Sequence, residues 1–229
     1  LRSALTMLGI IIGVAAVIAM VGIGAGAQAR VAEQIQSLGS NLMIVLSGSV
    51  TSGGIRMGHG TQLTITEDDA AAIAREVPAV QVAAPSVRGV AQVVYGNLNW
   101  STVIQGVTPD YSEARDWPIV DGRQLSSEDV DGATKVALVG QTTALNLFGE
   151  SEPLGQIIRI KKVPFTVVGT LARKGQNSWG QDQDDIIMIP ISTAKKKVLG
   201  TSQANSRAVG AISVKIRPGE DMPEAESQI

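Results

Sequence analysis

Residues 1–38 read LRSALTMLGIIIGVAAVIAMVGIGAGAQARVAEQIQSL, and residues 3–29 within them carry no charge. Between Arg2 and Arg30, residues such as Leu8, Ile10, Ile11, Ile12, Val17, Ile18 and Val21 supply enough apolar helix to cross a hydrocarbon core about 30 Å thick. The stretch reads as a membrane span. A cleavable secretory leader would have an apolar region of only about 7–15 residues. A dinucleotide loop at Val21-Gly22-Ile23-Gly24-Ala25-Gly26 would need a βαβ frame and an acid about 20 positions later, where Asn41-Leu42-Met43-Ile44 stands instead.

Gly9 and Gly13, and again Gly22 and Gly26, have the small-xxx-small spacing that lets two membrane helices approach closely. They are candidate helix-packing positions, although glycine is also common in membrane helices generally. Beyond Arg30, Val31, Ile35 and Leu38 continue a helical apolar stripe while Glu33, Gln34 and Gln36 can face water, and Gly39 stands where a C-terminal cap belongs. The expectation is a stalk that carries a folded domain away from the bilayer.

The remaining residues, about 200, are enough for one large domain or two small ones. At 44% hydrophobic and 17% charged, the chain is not disordered. A net charge of -2, with three Trp, two Tyr and two Phe, gives no basic, aromatic-interleaved stripe for nucleic acid. No cysteine is present, which excludes a disulfide framework, a thiolate zinc site and a thiol nucleophile. The single histidine, His59, falls in the Gly/Ser-rich stretch 47–60, and neither a Gly-x-Ser-x-Gly elbow nor a P-loop occurs. Asp182, Asp184 and Asp185 lack the glycine and distant glutamate of an EF-hand loop, so they read as a turn whose carboxylates accept backbone N–H bonds. Lys195-Lys196-Lys197 reads as a solvated helix face. No catalytic, cofactor-binding or metal-binding residue emerges, and the domain reads as non-enzymatic.

Strands are expected at 42–46, apolar on both faces and therefore central and covered, and at 80–84, 87–95 and 98–107, the last two joined at Gly96-Asn97. Thr66-Glu67-Asp68-Asp69 has capping-box spacing before a helix that Pro78 stops. Turns are expected around Asp116-Trp117-Pro118 and Asp121-Gly122, with a short helix before them. Further strands are expected at 135–139, 156–160, 165–171 and 186–189. Helices are expected at 141–148, ended by Gly149, and after Pro190, capped by Ser192 and closed by Gly200. The alternation at 209–216 supplies one more strand that would rejoin the first sheet. The organisation expected is α+β: stalk 1–38, a first subdomain from 39–107 and 206–229, and a second, 108–205, inserted into it. The absent initial methionine and a helix beginning at Pro223 suggest a segment of a longer protein.

Several stretches resemble the MacB-type ABC transporter permeases. They are LRSALTMLGIIIG at 1–13, LGSNL at 38–42, GVTPDY at 106–111, GR at 122–123, LFG at 147–149, PLGQ at 153–156 and GQDQDD at 180–185. Their order follows the family's over nearly the whole chain. The resemblance implies a first transmembrane helix plus a periplasmic core domain, with a porter-like subdomain interrupted by a second one. It implies placement in the cell inner membrane with the domain on the periplasmic or extracellular side, a second permease copy, and a partner ATPase domain that binds ATP and Mg. A periplasmic adaptor and outer-membrane channel accompany many members. The implied function is mechanical coupling of cytoplasmic ATP hydrolysis to export. The alternative is a membrane-tethered scaffold or regulatory domain like that of FtsX-like or lipoprotein-releasing permeases.

Overall fold

The computed structural model describes residues 13–15, 17, 20–21, 41–48, 51–52, 55–56, 64–177, 180–200 and 205–229. The N-terminal positions among these are helical, with Val14, Val17, Met20 and Val21 exposed. Among the described residues no helix is long and apolar enough to cross a membrane. Most of the expected span, including Gly9, Gly22 and Gly26, and the stalk positions Val31, Ile35 and Leu38 lie outside the described residues. Gly13 is described, and a Cβ built there meets nothing within 4 Å.

From Asn41 onward the chain forms one compact unit. Its strands are β1 (Leu42–Leu46), β2 (Thr51–Ser52), β3 (Ile55–Arg56), β4 (Ile65–Thr66), β5 (Val80–Tyr95), β6 (Leu98–Val107), β7 (Ile119–Gly122), β8 (Val136–Val139), β9 (Ile157–Ile160), β10 (Val163–Leu171), β11 (Ile186–Pro190), β12 (Ala208–Val209) and β13 (Ala211–Ile216). Its helices are α1 (Glu67–Glu76), α2 (Tyr111–Ala114), α3 (Ser127–Asp131), α4 (Gln141–Phe148), α5 (Ile191–Thr193) and α6 (Met222–Gln228), and α5 runs on into a π-helical turn, Ala194–Leu199. The main sheet has the order β1-β13-β5-β6-β11-β8-β10-β7, with β9 pairing β10 and β5. β6–β11 and β8–β10 are parallel and the other pairs antiparallel, so the fold is mixed α/β.

Consecutive strand residues point to opposite faces, and here both faces carry buried clusters. Ala83, Val139 and Ile187 enter cores on one side, while their neighbours Ala84, Leu138 and Met188 enter the core on the other. On the first side α1 contributes Ala70, α6 contributes Ala225, and α4 contributes Leu147 and Phe148. On the second side Tyr111 and Ala114 of α2, with Trp117 and Leu125, cover Val107, Leu138, Leu171 and Met188. Burial on both faces explains why β11 is apolar throughout.

The capping box forms as spaced: Asp69 N–H donates to the Thr66 hydroxyl and Thr66 N–H to the Asp69 carboxylate, after which α1 ends at Val77. Tyr95 pairs with Leu98 across Gly96, whose φ of +56° suits a two-residue hairpin turn. β13 does return, between β1 and β5.

Other expectations need correction. β1 is the end strand of the sheet, not a covered central one, with Ile44 47% and Leu46 53% exposed; an apolar run alone does not separate edge from centre. β5 continues unbroken through Pro85, because the β6 register begins only at Ser86 and demands no ladder bond of the proline on that side. The turn-rich stretch after Trp117 contains strand β7 and helix α3, whose own capping box joins Ser126 and Asp129. Ser192 lies inside its helix, donating to the Val130 carbonyl, while Pro190 takes the cap position. Lys195 is 6% exposed and paired with Glu67, so only Lys196 and Lys197 of the triplet are solvated.

Candidate functional site

Two features of the unit 41–229 stand out from the packed core. The first is the edge where the chain enters and leaves the sheet. Leu42 stands opposite Lys215 and Leu46 opposite Ala211. Ile216 N–H donates to the Asn41 carbonyl at 2.8 Å, and Arg217 N–H donates to the Ala79 carbonyl at 2.8 Å. α6 follows at once and buries Ala225 among Ala70, Val214 and Ile216. Entry and exit are therefore fastened to each other and to the core.

The second feature is a groove of about 1040 Å³ beside α2. α2 and Trp117 cover only part of their sheet face. Where that cover stops, alternation brings Arg88 and Val90 of β5 to the same open side as Ile44 and Leu46 of β1. Gln105 stands opposite Arg88 and Val103 opposite Val90 in the β5–β6 register. Tyr111 and Arg115 form the rim from α2, and Trp117 is fixed by its indole N–H donating to the Ala172 carbonyl at 2.7 Å. Burial raises the Tyr111 pKa, while the charges of Arg115 and Arg88 act in the opposite direction. Among the described residues, no carboxylate lies within ion-pair distance of Arg88 or Arg115. Arg115 Nε and Gln183 Nε2 are buried donors without a hydrogen-bond partner among the described residues.

The other rim is the acidic loop. The buried Asp184 carboxylate accepts from Lys174 N–H at 2.7 Å and Gly175 N–H at 2.9 Å. Asp182 accepts from Asp184 N–H and from the Thr142 hydroxyl. Asp185 accepts from the Trp100 indole and the Thr143 hydroxyl. Asp182 and Asp184 thus accept backbone N–H bonds, as their spacing suggested, whereas Asp185 is held by side chains. Lys174 closes it from behind, donating to the Arg115 carbonyl and lying 5.1 Å from the Trp117 ring centroid. Loss of water, and secondarily the charge of Arg115, lowers its pKa to about 8.

Among the described residues no group of His, Cys, Asp or Glu is placed to hold a metal ion, and His59 lies outside them. Arg88 and Arg115 were not singled out by sequence. The readable signal was a charge inside an otherwise apolar strand at Arg88; Arg115 follows a four-residue helix and carries no comparable mark.

The family model for the MacB-like periplasmic core domain matches residues 3–229. The chain is 46% identical over 206 residues to the macrolide export ATP-binding/permease protein MacB of Syntrophobacter fumaroxidans, covering 90% of this chain and 29% of that protein. It is 39% identical to the MacB of Bdellovibrio bacteriovorus, covering 100% and 34%. Against the pyoverdine export ATP-binding/permease protein PvdT of Pseudomonas aeruginosa the identity is 40%, covering 87% and 29%. The chain spans about a third of the length of these curated relatives. In fold it is similar to the periplasmic region of MacB from Actinobacillus actinomycetemcomitans, with a TM-score of 0.68 at 24% identity over 85% of this chain and 83% of that one. It is also similar to the extracellular domain of the ABC-type transporter YknZ from Gram-positive bacteria, with a TM-score of 0.60 at 18% identity over 82% and 88%.

Proposed function

The chain belongs to the MacB-like periplasmic core domain family, and from that premise we propose that it serves an exporter as the rigid body through which cytoplasmic ATP hydrolysis does work outside the membrane. The observation that carries this reading is the fastening of entry to exit. Ile216 is hydrogen bonded to Asn41, so a displacement delivered through either end passes into the whole sheet without unzipping its edge. The names of the relatives, macrolide and pyoverdine export proteins, favour export over a scaffold role.

In this proposal residues 3–29 span the inner membrane and 30–38 form the stalk. Gly9, Gly13, Gly22 and Gly26 provide helix-packing surfaces, and a second permease copy completes the assembly. The ATPase domain holds ATP and Mg. A periplasmic adaptor and an outer-membrane channel belong to the same proposal, as does the division into a subdomain from 39–107 and 206–229 with 108–205 inserted. Export is expected to need a continuous stalk, because a helix transmits displacement only while its hydrogen-bond ladder is intact.

The test is substrate efflux from cells carrying the full-length gene with Val31→Pro, scored beside ATP hydrolysis in membranes. Efflux lost while hydrolysis persists, in a folded protein, supports mechanical transmission. Efflux that survives the proline overturns it.

A further inference from the structure

We propose that the groove beside α2 binds an amphipathic anion, its carboxylate between Arg88 and Arg115 and its apolar body along Ile44, Leu46 and Val103. The inference stands apart from the coupling role and does not depend on it.

The argument begins with donors. Arg88 sits on an open sheet face beside the exposed apolar residues Ile44, Leu46 and Val90, and it has no carboxylate partner among the described residues. Arg115 likewise has no carboxylate partner among the described residues, and among those residues its buried Nε and the buried Gln183 Nε2 have no hydrogen-bond acceptor. Buried donors without partners are uncommon in folded proteins. Both Arg115 and Gln183 line this one groove.

The acids that share the lining, Asp182 and Asp185, are held at the acidic loop. Asp182 accepts from Thr142 and from Asp184 N–H, and Asp185 from Trp100 and Thr143. Those carboxylates are engaged at the acidic loop, whereas Arg88 and Arg115 have no carboxylate within ion-pair distance among the described residues. A carboxylate supplies two oxygens, and the planar guanidinium is the side chain whose geometry matches it. A cation placed between Arg88 and Arg115 would meet two guanidinium groups, and a purely apolar molecule would bring neither of them a counter-charge. The apolar wall then selects among anions: acetate has nothing to lay against Ile44 and Leu46, whereas a chain of several carbons removes both from water. A groove of about 1040 Å³ is at the upper end of small-molecule sites, roughly 300–1,000 Å³.

Equilibrium dialysis of radiolabelled octanoate against the full-length protein in lipid nanodiscs, with empty nanodiscs as blank, provides the test. Saturable binding is expected, weakened at least tenfold by Arg88→Gln with Arg115→Gln and displaced poorly by octylammonium or acetate. Arg88→Gln alone, at an exposed position, is expected to weaken binding severalfold with thermal unfolding unchanged, which separates the effect from misfolding. Absence of saturable binding overturns the proposal. So does equal competition by octylammonium, which would mean an unselective apolar surface. Protection of Leu46→Cys from maleimide in the assembled transporter would also overturn it, by showing that protein covers the groove.

Discussion

The Lys195 ammonium, almost wholly buried, donates to the carboxylate of Glu67 across 128 residues of sequence, and also to the Ser206 carbonyl at 3.2 Å. The pair fastens the first turn of α1 to the π-helical turn after α5. Its two members are not equally shielded: the Glu67 side chain is 32% exposed. Glu67→Gln leaves a buried ammonium short of its counter-charge, whereas Lys195→Met leaves a carboxylate that water can still reach. Glu67→Gln is expected to cost about 1–3 kcal/mol, and Lys195→Met less. Thermal unfolding checks this at roughly 2–4 °C per kcal/mol; a larger drop for Lys195→Met would contradict it.

Acid sensitivity should centre on Asp129. Its carboxylate accepts from Arg123, Ser126 and Thr134, and the Arg123 guanidinium beside it is the main reason its pKa lies well below the usual carboxylate range. A lowered folded pKa means that the unfolded chain binds the proton first. The stabilisation is therefore present above an unfolded value of about 4 and is lost as pH falls below it. Unfolding midpoints measured from pH 7 to pH 3 should fall more steeply for the native chain than for Asp129→Asn, which starts lower.

Lys174 gives the opposite signature in the alkaline range. Its folded pKa of about 8 lies below the ordinary lysine value, so between about 8 and 10 the unfolded chain holds a proton that the folded chain has released. Stability from this group rises with pH across that window. Relative to Lys174→Gln, the native protein should gain stability between pH 8 and 10. Emission from Trp117, over which the ammonium sits, should titrate with a midpoint near 8 and cease to do so in the variant.

Gly106 opens one of the family-like stretches, and its packing explains the residue type. A Cβ there would come within 2.4 Å of the Ala194 Cβ and 2.6 Å of Val87 Cγ2, with the Ile191 backbone at 3.3 Å. The glycine lets the helix beginning at Ile191 lie directly on β6. Gly106→Ala should destabilise by about 1–3 kcal/mol through overpacking, read as a lower unfolding midpoint, whereas Gly96→Asn at the open hairpin turn should change it little.

Local signals in the sequence were reliable where a short chemistry decides the outcome. The Thr66/Asp69 cap, the Gly96-Asn97 hairpin and the end of α4 at Gly149 all follow from residues within a few positions of each other. What could not be read was set by distant partners. β1 looks like a core strand because five apolar residues carry no mark of sheet order, and only the return of β13 on one side alone makes it an edge. Lys195 looks solvated because its counter-charge lies in another helix. The groove is legible only in three dimensions, since Arg88, Arg115 and Gln183 come from a strand, a helix end and a loop. Ser126-x-x-Asp129 has the same capping spacing as Thr66-x-x-Asp69, but the helix behind it is only five residues long.

The edge at β1 decides whether the domain moves as one body. Ile44 stands opposite Ser213. With Ile216 N–H bonded to the Asn41 carbonyl and Ser47 N–H to the Gly210 carbonyl, the alternation of the antiparallel ladder makes Ile44 and Ser213 one of the closely spaced, non-hydrogen-bonded pairs, about 4.5 Å between Cα atoms. That separation lies at the short end of what a disulfide spans. Because the 229 residues contain no cysteine, Ile44→Cys with Ser213→Cys introduces a single defined pair into this segment. If displacement passes through the sheet as a rigid unit, oxidation should leave efflux and its ratio to ATP hydrolysis unchanged, within about twofold. If export instead requires β1 to part from β13, oxidation should abolish efflux and dithiothreitol should restore it. That outcome would refute the rigid-body reading while leaving the fold intact.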